Sequence, residues 1–278
     1  EPVAHIQFVF WYPSFIHFIT EMLKAKTVNI IFLVLLLLLF GYDWNNGVSL
    51  WWYALLLIIY LNIQAYGASV LSAEFFLPVK YHGDRSSNKI AITFDDGPIP
   101  IMTDKILDVL TEHKVPAAFF CIGNRVNDYP ALTKRIHESG HLIGNHSYWH
   151  GAMFDLQSSK QISKELVLTD AAIEKVIKKR PNFFGPPYGV TNPMVAKAVK
   201  KGGYRTIGWS IRSFDSVTKN GSVLLDRITS SLKAGDVILF HDYSTSTLEI
   251  LPALFEHVAR VGLKIVRVDE LLKEKAYA

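Results

Sequence analysis

Two long apolar stretches near the start of the chain differ from everything that follows. Residues 27–42 and 48–66 contain no charged side chain, and a short polar turn at 43–47 separates them. Sixteen helical residues span about 24 Å, slightly less than the roughly 30 Å core of a bilayer, and Lys24 and Lys26 can snorkel at its edge. The pattern predicts a transmembrane helical hairpin over residues 27–71. Two buried helices of a soluble protein, or a signal-peptide core in the first run, are the alternatives.

The first 26 residues form a separate segment of unusual composition. The sequence begins at Glu1, and the apolar and aromatic run at 6–19 contains Pro13 and His17 and is shorter than a membrane span. We expect Met22 to be a natural start. Residues 1–21 would then derive from upstream translation or lie on a membrane surface.

The charges around the hairpin predict its orientation. Its loop contains no Lys or Arg, whereas Lys24, Lys26, Lys80, Arg85 and Lys89 all lie on the other side. The positive-inside rule therefore places the N-terminus and everything after residue 72 in the cytoplasm. We expect a multi-pass protein of the bacterial inner (cell) membrane. If the first apolar run is cleaved or does not span, the main domain would instead lie outside.

After a predicted linker at 72–88, short apolar runs alternate with amphipathic stretches. The predicted strands are 89–94, 117–122, 141–144, 182–184, 204–209, 236–240 and 264–267. The predicted helices are 101–113, 129–139, 158–178, 192–201, 222–233 and 247–261. This alternation is typical of an α/β fold with a parallel sheet and crossover helices. We expect a distorted (β/α) barrel of about seven parallel strands, with its site at the carboxyl ends of the strands.

The composition of the chain argues against nucleic-acid binding and excludes an intramolecular disulfide. Half of the 278 residues are hydrophobic, the mean hydropathy is +0.20, and the formal net charge is only +4. This mild charge, without a basic and aromatic pattern, argues against nucleic acid as a partner. Cys121 is the only cysteine, so the chain can form no intramolecular disulfide. Its apolar neighbours predict an ordinary core residue.

Two adjacent carboxylates, Asp95 and Asp96, end the first predicted strand of the main domain, and a Gly-Pro turn follows them. Such a pair is costly unless a cation is held nearby, and a metal ion is one candidate. After another strand come His146 and His150, four residues apart, which can share one face of a helical turn. One carboxylate with two imidazoles makes three ligands and leaves positions open for water and substrate.

A third strand end supplies His241, directly after the apolar run 236–240. On residue type alone it can be a metal ligand, a core histidine or a general acid. Asp215 follows the strand predicted at 204–209 and on its own reads as an ordinary loop carboxylate.

Four motifs, taken together, resemble the polysaccharide deacetylases, the NodB-homology domain of carbohydrate esterase family 4. They are Thr-Phe-Asp-Asp-Gly-Pro at 93–98, His146-Ser147-x-x-His150, Phe-Gly-Pro-Pro-Tyr-Gly at 184–189, and Leu239-x-His241. The resemblance covers about residues 88–270. It implies a catalytic domain at 89–275, attached to the membrane by the hairpin as in a membrane-anchored bacterial type.

The resemblance implies a role for each motif residue. Asp95 would be the general base, and His241 the general acid that protonates the leaving amine. Asp215 would pair with that histidine, and the backbone N–H of Tyr188 would face the developing oxyanion. Asp96, His146 and His150 would bind a divalent metal, with Zn expected and Co, Ni or Mn as alternatives. The substrate-binding positions would be Pro187, Tyr188, Trp209 and Leu239.

Three positions depart from the family pattern. Gly185 stands where the family has an arginine that pairs with the base, Arg212 replaces an aspartate, and Ser216 replaces a tryptophan of the acyl pocket. Our hypothesis is that the Arg212 guanidinium reaches Asp95 instead and keeps the pKa of this base low. The alternative is that Arg212 points to solvent. A pocket wall at Ser216 would be missing, or would come from Trp209 or Phe214.

The sequence therefore predicts a metal-dependent hydrolase that cleaves the N-acetyl amide of an amino sugar. Its partners would be membrane lipid and either an N-acetylated glycan or a lipid-linked sugar. One alternative is a deformylase of a lipid-linked formamido sugar. Others are a catalytically silent glycan-binding membrane protein and a peptide or purine amidohydrolase.

Overall fold

The computed structural model describes residues 24–278. The predictions for residues 1–23, including a natural start at Met22, lie outside the described residues. The chain forms two compact units, and the boundary lies between Leu77 and Pro78. The second unit therefore begins within the stretch predicted as a linker.

In the first unit, two helices occupy the predicted hairpin. Helix α1 runs from Ala25 to Asn46 and helix α2 from Leu50 to Ser69. Both are long and apolar enough to cross a membrane, and only 6% of the residues in each apolar window are buried. Gly47 ends α1 with a left-handed φ of 66°, a backbone conformation that glycine adopts without steric cost.

A small polar cluster joins the two helices. The Oδ1 atom of Asn29 on α1 accepts hydrogen bonds of 3.0 Å from both the Tyr60 hydroxyl and the Gln64 side chain on α2. Phe32 stacks on the Tyr60 ring at 4.1 Å between centroids. These contacts define the pairing of two helices that are otherwise apolar on all sides.

The second unit contains a parallel sheet and the helices that connect its strands. The strands are β1 (Val79–Lys80), β2 (Lys89–Asp95), β3 (Ala118–Cys121), β4 (Leu142–Asn145), β5 (Phe183–Phe184), β6 (Arg205–Ile207), β7 (Ile211–Arg212), β8 (Val237–His241) and β9 (Lys264–Ile265). The helices are α3 (Met102–Glu112), α4 (Gly123–Asp128), α5 (Pro130–Glu138), α6 (Ser159–Ile177), α7 (Pro193–Gly202), α8 (Gly221–Ser231), α9 (Thr245–Arg260) and α10 (Val268–Leu272).

The sheet is a curled, parallel half-barrel. Its strand order is β1-β6-β5-β4-β3-β2-β8-β7, with β9 paired to the beginning of β2. The seven predicted strands and six predicted helices are all present, which confirms the α/β barrel-like fold. Strands β1 and β7, which have two residues each and show no periodic pattern, were not predicted, and neither were the short helices α4 and α10.

Strand β2 lies at the centre of the fold and is buried on both faces. Ile90, Ile92 and Phe94 face one hydrophobic cluster, and Ala91 belongs to a second cluster on the opposite face. The Phe94 ring stacks between Phe119 and Phe240 at centroid distances of 5.0 and 5.9 Å. This packing fixes the position of the β2 carboxyl end, which carries Asp95.

Candidate active site

Asp95 is the last residue of β2 and sits between two neighbours in the sheet. Its register partners are Phe120 on β3 and His241 on β8. Paired residues of parallel strands direct their side chains to the same face, so Asp95 and His241 lie side by side at the carboxyl edge of the sheet. Asp95 is buried, with 6% of its surface exposed.

The chain turns directly after Asp95. Asp96 adopts a left-handed φ of 75°, which aspartate tolerates better than most residues. The turn allows both adjacent carboxylates to approach one histidine, and the His146 Nε2 atom lies 3.9 Å from an Asp95 oxygen and 3.4 Å from Asp96 Oδ1. The two aspartates therefore contribute to one site, as the sequence predicted.

Asp96, His146 and His150 converge on one point. Their candidate ligand atoms all lie within 4.8 Å of one another, and Asp96 Oδ1 is 3.3 Å from His150 Nε2. The two imidazole rings stack with centroids 4.9 Å apart. This set combines the oxygen and nitrogen donors that divalent zinc and related ions bind.

The donor set fits a metal ion in two further respects. The Asp96 Oδ1 atom is buried and has no hydrogen-bond partner among the described residues, so it is free to coordinate. The Nδ1 atom of His146 is 2.9 Å from the Gly185 carbonyl oxygen, to which it can donate. In the neutral imidazole, that bond leaves Nε2 unprotonated and directed at Asp96 and His150, which is the arrangement of a metal-binding histidine.

The electrostatics of these groups follow from burial and mutual proximity. Burial raises the pKa of Asp95 to about 6, even though the nearby His146 and His241 act to lower it. Burial would also raise the pKa of Asp96, but the His146 and His150 imidazoles outweigh it and lower this pKa. Burial, together with the neighbouring His146, lowers the pKa of His150 to about 4, so His150 is neutral at pH 7.

His241 is held by a buried carboxylate. Its Nδ1 atom donates to Asp215 Oδ1 at 2.7 Å, and its backbone N–H donates to Asp215 Oδ2 at 2.8 Å. Ser213 and Thr247 donate to the same carboxylate at 3.0 and 2.6 Å. Although burial opposes it, Asp215 raises the pKa of His241, which favours its protonated form. The structure thus brings together Asp215 and His241, the two residues that the family resemblance implied would pair.

Arg212 does not form the predicted ion pair with Asp95. Its exposed guanidinium lies over the rings of Trp209 and Phe214, at 5.7 and 5.1 Å from their centroids. No arginine or lysine within residues 24–278 lies within 4 Å of the Asp95 carboxylate as an ion-pair partner. The raised pKa of Asp95 also differs from the low value expected of a base paired with Arg212.

Gly185 lies where a side chain would collide with neighbouring residues. A Cβ atom added there would be 2.9 Å from the Phe120 ring and 3.3 Å from His146 Nδ1. A Cβ on Gly144, the register partner of Phe120, would come within 2.5 Å of the same ring. The Phe120 ring thus occupies the space that both glycines leave, beside Asp95 in the sheet.

The two aspartates and three histidines open into a cavity of about 170 Å³. Of the predicted substrate-binding residues, Tyr188, Trp209 and Leu239 line it. Pro187 is buried beside Tyr188 in a single 3-10 turn. Trp209 and Tyr243 form aromatic parts of the wall of this cavity, which Ser216 also lines. Phe214 lines a neighbouring cavity instead.

Tyr188 contributes to the cavity through both its ring and its backbone. It has a left-handed φ of 59°, and its backbone N–H donates no hydrogen bond to any described residue. The hydroxyl donates to the His150 carbonyl at 3.1 Å, and the two rings are 4.6 Å apart. A free N–H at the cavity wall can serve an oxyanion.

Sequence reasoning missed several residues that hold the site together. Glu165 on α6 accepts hydrogen bonds from the backbone of Tyr148 and Trp149, at 3.1 and 3.0 Å, within the loop that carries both histidines. The Arg125 guanidinium donates to the Asp96 carbonyl. Glu165 lies in the amphipathic stretch at 158–178 and Arg125 in the short helix α4, and in neither does the local pattern distinguish the residue from a solvated charge.

Asp242 is a third buried carboxylate near the site. It accepts a hydrogen bond of 2.6 Å from Thr103, and a Cβ on Gly97 would lie 2.1 Å from its Oδ2 atom. Burial raises the pKa of Asp242 to about 7. Its place directly after His241 was the one signal that sequence offered for it.

Comparison with known proteins agrees with this geometry. Residues 82–207 match the polysaccharide deacetylase family. A peptidoglycan-N-acetylglucosamine deacetylase of Bacillus cereus is 35% identical over 191 residues, which are 67% of this chain and 89% of that protein. The crystal structure of a CE4 family pseudoenzyme from Bacillus anthracis superposes with a TM-score of 0.67 at 28% identity, covering 72% of this chain and 70% of that one.

Other relatives are considerably longer than the matched region. The peptidoglycan-N-acetylglucosamine deacetylase PgdA of Listeria monocytogenes is 32% identical over 191 residues, and the chain spans about 40% of its length. The similarity covers 69% of this chain, and the family match over residues 82–207 includes Asp95, Asp96, His146 and His150. The chain belongs to the polysaccharide deacetylase family.

Proposed function

We propose that this protein is a membrane-anchored, metal-dependent hydrolase that removes the N-acetyl group from an amino sugar of a glycan or a lipid-linked glycan precursor. The observation that carries the proposal is the pairing of Asp95 with His241 on adjacent strands, beside the converging Asp96, His146 and His150. The names of the relatives, which are deacetylases of peptidoglycan, support the same class of substrate.

In the proposed reaction, two residues divide the proton transfers. Asp95 accepts a proton from the attacking water, and a pKa of about 6 leaves it ionised at pH 7 while still basic enough for this task. His241 then gives a proton from Nε2 to the departing amine, because its Nδ1–H is committed to Asp215. The Tyr188 backbone N–H supplies a donor to the oxygen that becomes negatively charged.

Asp96, His146 and His150 would hold the divalent ion. When bound, such an ion supplies a Lewis acid that polarises the amide carbonyl and acidifies water. Zn is our first expectation for this donor set, with Co, Ni and Mn as alternatives.

We infer that helices α1 and α2 anchor the enzyme in the bacterial cell membrane. Their length, apolar surface and lack of charged residues over 27–42 and 48–66 support this inference. The lysines and arginines outside the hairpin loop favour a cytoplasmic catalytic unit, where a lipid-linked precursor is the more accessible substrate. A fluorescent-protein fusion at the C-terminus that is dark, together with an active alkaline phosphatase fusion, would overturn this orientation.

The proposed activity is tested with the full-length protein purified in detergent. Metal analysis should find about one divalent ion per chain, and N-acetylglucosamine oligomers or a peptidoglycan precursor should release acetate. Asp95→Asn should reduce kcat roughly 10²–10⁴-fold, the usual contribution of general acid–base catalysis, while the exposed Asp226→Asn serves as a control.

Each alternative gives a different result in the same assay. Release of formate from a formamido sugar, without acetate from any acetylated sugar, would identify a deformylase. Bound metal and bound glycan without any turnover would identify a silent binding protein. Retention of both Asp95 and His241 in the site argues against that last outcome.

A further inference from the structure

A second and larger cavity lies at the β7 edge of the sheet. Its volume is about 530 Å³, within the range of small-molecule sites. Arg212 lines both this cavity and the one that contains Asp95 and His241, so the two are neighbours with a shared wall. We call it the basic cavity, and the residues used below are Arg85, Arg212, Phe214, Arg227, Lys233 and Asp236.

Three cations of the basic cavity lack an acidic partner. Arg212, Arg227 and Lys233 are exposed, and none of them forms an ion pair within 4 Å with any carboxylate in residues 24–278. Ordinary surface cations repel one another when gathered on one concave wall, and a low-dielectric wall strengthens this effect. The three cations therefore raise the positive potential of the cavity, which favours the entry of an anion.

Among the residues that the structure describes, Asp236 is the one acidic side chain that lines the cavity, and its charge is already neutralised. Asp236 is 3% exposed and pairs with Arg85. It also accepts hydrogen bonds of 2.7 Å from the Ser210 hydroxyl and from the Lys233 backbone N–H. Asp236 cannot compensate the other three cations as well, so the cavity keeps an excess positive charge.

Phe214 brings two guanidinium groups together. Arg227 lies 4.2 Å and Arg212 5.1 Å from the centroid of its ring, both within the range of cation–π contact. Phe214 adopts a left-handed φ of 61°, which is strained for an aromatic residue. This backbone conformation places the Phe214 ring in contact with both guanidinium groups. Both arginines and the ring line the basic cavity.

We propose that the basic cavity binds a phosphate group carried by the glycan substrate, next to the amide that is hydrolysed. The proposal rests on the deacetylase function proposed above and adds the class of substrate. Arginine side chains match phosphate in charge and geometry, and a phosphate carries about −1.5 to −2 at pH 7. A carboxylate, with a single negative charge, would leave most of the three cations uncompensated.

Binding can be measured without turnover. We expect isothermal titration calorimetry of the metal-loaded, full-length protein to detect inorganic phosphate at low ionic strength. The double variant Arg227→Gln, Lys233→Gln should bind it at least tenfold more weakly. Arg260→Gln on α9 removes the same kind of charge away from the cavity and should bind as the unmodified protein does. Equal binding by all three proteins would overturn the proposal.

Kinetics identify the source of the phosphate. Three N-acetylglucosamine tetramers are compared: one neutral, one with a reducing-end phosphate, and one joined by a diphosphate to a short prenyl chain. We expect one of the charged tetramers to have the lower KM, and the double variant to reduce that preference at least tenfold. Preference for the prenyl diphosphate indicates a lipid-linked substrate, and preference for the monoester indicates a phosphorylated glycan. A fourth tetramer, which carries a uronic acid in place of the phosphate, is the control, and an equal preference for it would overturn the assignment to phosphate.

Failure of this inference is distinguishable from failure of the proposed function. Acetate released from the neutral tetramer without phosphate binding would leave the deacetylase intact and remove the phosphate subsite. Phosphate binding that depends on Arg227, without acetate release from any tetramer, would refute the deacetylase and leave the subsite.

Discussion

Gly185 lies against the ring of Phe120, and a Cβ at Gly185 would be 2.9 Å from the Phe120 Cδ1 atom. Phe120 is also the register partner of Asp95. The ring therefore fills the space through which a longer side chain at 185 would approach the carboxylate. This packing leaves little room for the arginine that the family resemblance implies at this position, and no arginine or lysine within residues 24–278 forms an ion pair with Asp95 in its place.

This contact predicts that the effect of a substitution at Gly185 on stability depends on the side chain at position 120. Gly185→Ala should lower the free energy of unfolding by about 1–3 kcal/mol, the usual cost of overpacking. In a Phe120→Leu background the same change should cost less, since the smaller side chain can move. Urea denaturation of both single variants and the double variant measures this difference.

Gly151→Ala is the matched control for that cycle, because no atom lies within 4 Å of a Cβ added there. It should change stability by less than Gly185→Ala. Strictly additive effects of the changes at Gly185 and Phe120 would show that the ring does not restrict this position.

The hydrogen bond from His241 to Asp215 predicts a change in pH dependence. Asp215 raises the pKa of His241, so the protonated acid persists to higher pH than it otherwise would. Asp215→Asn removes that charge, and the pKa of His241 falls. The alkaline limb of the kcat/KM profile should therefore move to lower pH, with a roughly 10²–10⁴-fold loss at the optimum. If the alkaline limb stays in place, the group that titrates in this limb is not His241.

The position of the Arg212 side chain predicts that replacing it leaves the pKa of the proposed base, Asp95, unchanged. Because its guanidinium lies over Trp209 and Phe214, Arg212→Gln should leave the acidic limb of the kcat/KM profile where it is. Loss of a true partner of Asp95 would raise the pKa of that carboxylate and move the limb to higher pH. An upward shift in Arg212→Gln would therefore restore the hypothesis that Arg212 pairs with the base.

The hydrogen bonds that Glu165 accepts predict that helix α6 contributes to metal binding. The Glu165 carboxylate accepts hydrogen bonds from the backbone of Tyr148 and Trp149, between His146 and His150, the two histidines proposed to bind the metal. Glu165→Gln replaces one acceptor oxygen by a donor, so the loop should hold His146 and His150 less accurately. We expect a roughly 10–100-fold loss of metal affinity, measured by competition with a chelator. The exposed Glu174→Gln on the same helix should retain full affinity.

Much of the site could be predicted because its residues follow predictable strands. Asp95 and His241 each end an apolar run, and parallel strands bring their carboxyl ends together. The direction of the Arg212 side chain could not be predicted, since it depends on a two-residue edge strand and on the left-handed backbone at Phe214. The packing of the Phe120 ring beside Asp95 could not be predicted either, because it depends on Gly144 and Gly185, which come from other parts of the chain.

The central position of β2 has a consequence for synthesis of the protein. The side chain of Thr93 on β2 bonds to the backbone of Ile238 on β8, and 145 residues separate them in sequence. One long edge of β2 must stay unpaired while the ribosome makes most of the domain, and such edges invite aggregation. Asp95 also gains its neighbour His241 only when β8 docks. The proposed hydrolytic activity therefore requires synthesis of the chain at least as far as β8 and the closure of β8 onto β2.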